Sequence, residues 1–245
     1  MKPFLLSAAV VLLCASSSAA QSAAGRWTIS IDGGGQSAPT ATSDRFEFQQ
    51  NLESATVDVR YAGKADALFN GGLAIRVWHS LALGVSVSRF THDGTAHVQA
   101  QIPHPFFFNR PRSIEGDATG LQRRETATHL QVLYPIVFSE HLRMTVSAGP
   151  SIINAQQDLV KDLQYDESYP YDTATFRGVT TQASKASATG FNAGADLTWM
   201  WRPSWGLGAF VRRTQARVTL DTPDKRHIDM DLGGTQGGLG LRFFF

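Results

Sequence analysis

Apolar residues recur at every second position in segment after segment of this chain, a period that specifies strands and leaves no room for helices as the main element. Leu81, Leu83, Val85 and Val87 alternate with Ala82, Gly84, Ser86 and Ser88. Phe191, Ala193, Ala195, Leu197, Trp199 and Trp201 alternate with Asn192, Gly194, Asp196, Thr198 and Met200. The same rhythm runs through Trp27–Asp32, Leu73–Trp78, His129–Tyr134, Arg143–Pro150 and Gly206–Val211. No helix cap precedes an apolar helical stripe. After the first twenty residues no run of about 18 apolar residues occurs, which argues against a helical membrane protein. Strands that place only alternate residues in lipid remain compatible with a polar average composition.

The first twenty residues read as a cleaved signal peptide. Lys2 supplies a positive n-region, Phe4 to Cys14 an apolar stretch too short to span, and Ser18-Ala19-Ala20 the small residues of a cleavage site. Gln21 is the expected mature start. A lipoprotein reading would use Cys14, but Leu13 before it is too large for that pattern. Cys14 is the only cysteine, so the expected mature chain has none, and disulfide, zinc-thiolate and cysteine-nucleophile chemistry fall together. No metal or cofactor is expected. Without Lys2 the basic and acidic residues balance at 21 each, with no basic run that would suit a nucleic acid. Residues 21–245 are enough for one domain.

The connections fall into two classes. His79-Ser80, Ser139-Glu140-His141 and Arg202-Pro203-Ser204 are short; the polar stretches near 91–122, 158–184 and 221–227 are long and read as loops. Short turns at one end and long loops at the other suit an antiparallel transmembrane up-and-down β-barrel better than a soluble sandwich. The five tryptophans agree. Trp78, Trp199, Trp201 and Trp205 lie beside short turns, and Trp27 opens the first strand at the same end. With Tyr134 they form the aromatic girdle that a lipid–water interface favours. The last strand, Gly238–Phe245, presents Leu239, Leu241, Phe243 and Phe245 on one face and stops on an aromatic residue. A strand facing lipid tolerates such an ending better than one facing water. Eight strands are the preferred count. Ten remain open, because Phe46–Gln50 and Thr56–Tyr61 are either a hairpin above the membrane or two more spanning strands. The first of these is short against the about 9–11 residues that a spanning strand needs.

Taken together, the signal segment, the alternating strands, the turn-side tryptophans and the terminal Leu239-Gly240-Leu241-Arg242-Phe243-Phe244-Phe245 resemble the small outer-membrane β-barrel superfamily of OmpA-like, OmpW-like and opacity-protein-like barrels. The resemblance implies delivery to the bacterial outer membrane by periplasmic chaperones. It implies reading of Leu239, Leu241, Phe243 and Phe245 by the barrel assembly machinery, and contact with outer-membrane lipids and lipopolysaccharide. A monomer is the favoured state. No peptidoglycan-binding domain is expected after the barrel.

An eight-stranded barrel is about wide enough for side chains to fill. Its expected polar and charged lumen residues are Arg76, His129, Gln131, Arg143, Asp196 and Arg242, with Asp196 either paired to one of the arginines or hydrated, because an unpaired lumen charge is costly. These residues suit a plug; the alternative is a narrow solute path tuned by the same charges. An enzyme acting on outer-leaflet lipid would need a Ser/His/acid set at the outer surface. His79 and His141 lie at the wrong end, and His92, His97, His104 and His227 lie in or near the long loops. Asp229 and Asp231 beside His227 are a weak match to a protease rim. No catalytic role is therefore assigned. In Ile102-Pro103-His104-Pro105-Phe106-Phe107-Phe108-Asn109-Arg110-Pro111-Arg112, three consecutive exposed Phe are costly in water unless they pack or bind. They either fold over the barrel mouth or lipid boundary, or form a contact site with Arg110 and Arg112 facing phosphates. Tyr165, Tyr169 and Tyr171 among Asp162, Asp166, Glu167 and Asp172 make the second stretch acidic and aromatic. The expected function is structural or surface-interacting.

Overall fold

The computed structural model describes residues 26–37, 42–78, 80–221 and 227–245. The expected signal segment, Cys14, His79 and the side chain of His227 lie outside the described residues. Among the described residues there are ten antiparallel strands: β1 (Trp27–Gln36), β2 (Thr42–Gln50), β3 (Glu53–Tyr61), β4 (Asp66–Trp78), β5 (Leu81–Ile102), β6 (Arg112–Val137), β7 (Leu142–Glu167), β8 (Ala174–Arg202), β9 (Trp205–Asp221) and β10 (His227–Phe244).

Eight of them close a ring in the order β1-β4-β5-β6-β7-β8-β9-β10, with β10 returning to β1. The seam holds from Thr28↔Phe244 to Gln36↔Gln236. Phe245 extends it by exchanging two 2.9 Å backbone bonds with Trp27. β2 and β3 are a hairpin outside the ring. β3 pairs with β5 from Tyr61↔Ala96 to Thr56↔Gln101, just beyond the segment of β5 that pairs with β4, which ends at Leu68↔Phe90. The eight-strand reading therefore holds, with the hairpin continuing the wall rather than spanning.

The stretches read as long loops are largely strand. β5 to β8 run 22, 26, 26 and 29 residues, at least twice the about 9–11 that cross a bilayer. At the far end only 103–111 and 168–173 connect them, and the 138–141 turn joins β6 to β7 at the other. The polar composition that suggested loops instead marks strands with water on their outer face.

The reason is an inversion of sidedness along each strand. Near the short turns the outward positions are apolar and exposed: Ile29 and Ile31, Leu73, Leu81 to Val87 at alternate positions, Leu130, Val132, Ile152, Phe191, Leu197, Leu207, Val211, Leu239 and Leu241. Farther along the same strands the outward set becomes Arg89, Arg124, Asn154, Lys185, Arg213, Arg217, Asp229 and Asp231. The inward set changes the other way. Polar Ser86, Ser88, His129, Ser151 and Asn192 give way to a buried apolar core of Val57, Val59, Val98, Ile102, Ile114, Leu121, Leu159, Leu163, Leu220, Met230 and Leu232. One end of the barrel is thus built for an apolar surrounding and the other is a water-facing barrel with an ordinary hydrophobic core. In β5 the apolar residues move from odd numbers (Leu81 to Val87) to even ones (Phe90, Ala96, Val98, Ala100, Ile102) without a break in the strand.

Candidate functional site

Three regions carry the residues singled out from the sequence: the lumen, the apex formed by the far hairpin tips, and the aromatic rim at the turn end. In the lumen, alternation points Arg76, His129, Gln131, Arg143, Asp196 and Arg242 inward, and the structure connects several of them through partners not anticipated. Arg242 contacts Asp32 Oδ1 at 2.5 Å through Nη1 and bridges to Asp196 through Nε, at 3.1 Å, and Nη2. Thr198 donates to Asp196 at 2.6 Å. The expected pairing of Asp196 with an arginine is thus present, and Arg242 is its partner. Gly208 makes the room: a Cβ there would sit 2.7 Å from the Arg242 guanidinium.

From Asp32 a chain of hydrogen bonds climbs the lumen. Asn70 donates to Asp32 at 2.8 Å, and Arg212 donates to Asn70 at 3.0 Å, to Ser86 at 3.1 Å and to Gln236 at 2.7 Å. Gln236 donates to Gln36 at 2.7 Å, and Gln36 to Glu125 at 3.0 Å. Glu125 also receives the Gly233 N–H at 3.1 Å and the Arg123 guanidinium at 2.8 and 2.5 Å. A second branch runs across the barrel. Gln131 donates to Asn192 at 2.8 Å, Asn192 to Ser151 at 2.8 Å, and His129 joins Ser151 at 2.8 Å to Ser88 at 3.0 Å.

This layer is dry. His129, Asn192 and Thr214 are 0% exposed, and Ser88, Ser151, Gln36 and Gln236 are also buried. A buried polar layer is tolerated only when its members satisfy one another, which the two branches largely achieve. Directly beyond it sits the apolar core, with Phe90, Leu68, Leu121 and Ile153 fully buried. The lumen is therefore filled across its middle twice, first by polar and then by apolar side chains. A cavity of about 160 Å³ remains on the turn side of the polar layer.

Ser88 and His129 have the hydrogen bond of a nucleophile and its base, but the pair is sealed. Ser151, not a carboxylate, holds the other ring nitrogen. This arrangement fixes side chains in register and offers no substrate access. Of the remaining histidines, His97 bridges Asp117 at 2.8 Å and Glu115 at 3.0 Å on the outer face of β5 and β6. The hydrogen bond to Asp117 raises its pKa above the ordinary imidazole value. His92 pairs with Asp66 at 3.1 Å. Asp229 is hydrogen-bonded by Thr219 and Asp231 by Arg217, as exposed cross-strand pairs on β9 and β10.

At the apex, Phe106, Phe107 and Phe108 are 64%, 53% and 67% exposed. They lie at the β5–β6 turn, at the end of the strands farthest from the apolar band, and so away from that band. Phe106 meets Tyr171 edge-on at 5.5 Å, and Tyr171 meets Tyr169 at 6.2 Å. Arg110 lies 5.5 Å over the Phe107 ring and 3.5 Å from Asp172. Three hairpin tips are tied together there. Asn51 bonds Pro103 O at 3.4 Å, Glu53 receives the Asn109 N–H at 2.9 Å, and Arg112 binds Pro103 O at 3.0 Å and Tyr171 O at 3.1 Å. Arg112 departs from the expectation. It is buried and pairs with Glu167 at 2.7 Å, so it holds the tips together and does not face a phosphate. Leu52, on the β2–β3 turn, adds a further exposed apolar side chain.

The girdle residues gather at the opposite end. Trp27, Trp78, Tyr134, Trp199 and Trp201 are exposed outward, Trp205 stacks on Trp201 at 5.7 Å, and Trp205 pairs across the sheet with Phe243. Leu239, Leu241 and Phe245 are exposed on the outer face of β10, with Phe243 on the same side and half-buried.

Asp32, Gln36, Asn70, Arg123, Glu125, Arg212 and Gln236 were not anticipated as lumen residues. Arg212 continues the inward parity of Gly206 and Gly208 one step past the point where the apolar alternation ends. Extending each strand at fixed parity would have found it.

No protein-family model matches the chain, and no curated protein matches it by sequence. Among solved structures, the outer membrane protein OprG from Pseudomonas aeruginosa aligns with a TM-score of 0.51 over 93% of this chain and 99% of that one, at 9% identity. Neisserial surface protein A aligns over 91% and 100% at 12% identity with a TM-score of 0.47. The outer membrane protease OmpT from Escherichia coli aligns over 89% and 96% at 9% identity with a TM-score of 0.49. At such identities the likeness to OprG is one of fold.

Proposed function

Starting from the small outer-membrane β-barrel fold, we propose that this protein is a closed, non-catalytic barrel of the bacterial outer membrane that carries a water-facing platform for surface contacts. The observation behind it is the inverted sidedness of the strands. An apolar band near the turns suits lipid, while the far halves build a second, soluble-type core that ends in exposed aromatics. In this orientation the short turns and the tryptophans face the periplasm and Phe106–Phe108 face outward from the cell. The outer-membrane lipids and lipopolysaccharide meet the band and its rim. Leu239, Leu241, Phe243 and Phe245 serve as the signal read by the assembly machinery, with periplasmic chaperones delivering the chain after removal of residues 1–20.

The filled lumen argues against a solute path, and the sealed Ser88–His129 pair supports no lipid-modifying activity. The apical aromatics are the contact surface. Three aromatic residues on a loop that Arg112 and Asn51 anchor through Pro103 O stay exposed only at a cost in water, and a partner would relieve it. The test is display on the cell surface of the wild type and of the Phe106→Ser/Phe107→Ser/Phe108→Ser variant at equal amounts. Adhesion of the cells to hydrocarbon droplets and to epithelial monolayers is then measured. Both should fall severalfold in the variant; equal adhesion would overturn the contact role.

A further inference from the structure

The cavity at the turn end has a charge pattern that the plug does not use. Its upper wall is the Arg242–Asp32–Asp196 cluster and Arg212, whose guanidinium N–H groups are bonded to Asn70, Ser86 and Gln236. Its lower wall carries Arg26, Arg76 and Arg143, and all of these residues line the same cavity of about 160 Å³. Arg76 and Arg143 face that cavity together. Among the described residues neither has a carboxylate partner. Arg143 Nε is buried without a hydrogen-bond acceptor, and its guanidinium rests 5.4 Å over the Phe244 ring. Five arginines therefore line the space against two aspartates, and both aspartates are held by Arg242.

Two like charges facing one cavity repel, and a buried guanidinium N–H without an acceptor costs free energy. Filling the barrel does not by itself call for two cations facing one cavity. We propose that this cavity is a binding site for a phosphate-bearing ligand entering from the turn end, with Arg76 and Arg143 as its paired oxyanion clamp. A phosphate offers several acceptor oxygens, which suits two planar guanidinium forks better than a single carboxylate would. Leu133, Pro135 and Phe244 supply the apolar wall for the body that carries the phosphate. The polar layer above makes the site a dead end, so the ligand binds and leaves by the same opening. The phosphate has two possible sources: a soluble phosphate ester, or the headgroup of an anionic phospholipid bending in from the adjacent leaflet.

The experiment is calorimetric titration of inorganic pyrophosphate into the refolded barrel, in nanodiscs of zwitterionic phosphatidylcholine. Saturable one-site binding is expected, weakened about tenfold or more by Arg143→Gln and by Arg76→Gln, the size of one charge-assisted hydrogen bond. Arg110→Gln, at the far end, should leave it unchanged. Circular dichroism and heat-modifiable migration on gels confirm that each variant has folded. Repetition in discs containing phosphatidylglycerol identifies the source: competition indicates a lipid headgroup, and undiminished binding a soluble ester. Absence of saturable binding in phosphatidylcholine, or equal affinity in Arg143→Gln, would overturn the proposal.

Discussion

Replacing Glu125 by Ala would strand a cation inside the barrel. Glu125 is 3% exposed and accepts four hydrogen bonds, two from Arg123, one from Gln36 and one from the Gly233 N–H. The Arg123 side chain is itself only 10% exposed and would keep a single carbonyl partner, Asp231 O at 3.0 Å. Removing one member of a buried ion pair costs about 3–5 kcal/mol. Each further buried N–H left unpaired costs about 1–3 kcal/mol. Because these losses share one site they overlap, and a net destabilisation of about 4–6 kcal/mol is expected. The double variant Arg123→Met/Glu125→Leu removes the stranded charge along with its partner and should recover about half of that loss. The assay is reversible urea unfolding of the refolded protein in lipid vesicles, followed by tryptophan fluorescence. A loss below about 1 kcal/mol in Glu125→Ala, the size of an exposed pair, would show that water reaches this layer and that the lumen is not filled. A double variant as unstable as the single one would show that the stranded charge is not the cause.

Other perturbations test the remaining features. Leu83→Arg on the apolar band should destabilise the barrel by about 2–4 kcal/mol in vesicles. Thr119→Arg, outward on the water-facing half of β6, should stay within about 0.5 kcal/mol, and equal costs would refute the inverted sidedness. His97 should titrate above the ordinary imidazole value by NMR and fall back in Asp117→Asn. Its raised folded pKa means that its stabilising contribution is complete below the unfolded value and is lost as pH rises through the folded one. Lack of any change in Asp117→Asn would show that the cross-strand bond is not formed. Deleting Phe245 removes both backbone bonds that close the ring to Trp27 and should slow assembly into a heat-modifiable species. Unaltered assembly kinetics in vivo would remove its targeting role.

Much of this architecture was legible because strand period and sidedness leave a mark at every second residue. The ring, the direction of the strands and the tryptophan end follow from the apolar parity of Leu81–Val87, Phe191–Trp201 and Leu239–Phe245 taken with the short turns. Asp196 and its arginine partner were legible because an inward charge needs a counter-charge. The far halves were not, for a specific reason: there the inward residues are apolar and the outward ones polar, so the parity reverses. A stretch such as Thr91–Gln101 then looks like a polar loop when read at the parity of the band. The change from Val87 to Phe90, from Ile152 to Ile153 and from Val211 to Val218 carries that reversal and could have been read. Arg112 was misplaced because no local pattern says that a loop-flanking arginine will be buried against Glu167 from a different hairpin. The network through Arg212, Gln236, Gln36 and Glu125 joins residues up to 200 positions apart, and nothing local in the sequence pairs them.

Whether the lumen is closed can be measured directly by single-channel recording on the refolded protein in planar bilayers. A flat baseline at both polarities is expected from the polar layer around His129 and Asn192 and the apolar core beyond it. Reproducible conductance steps, shifted in size by Asp196→Ala, would contradict a filled barrel and favour a solute path instead.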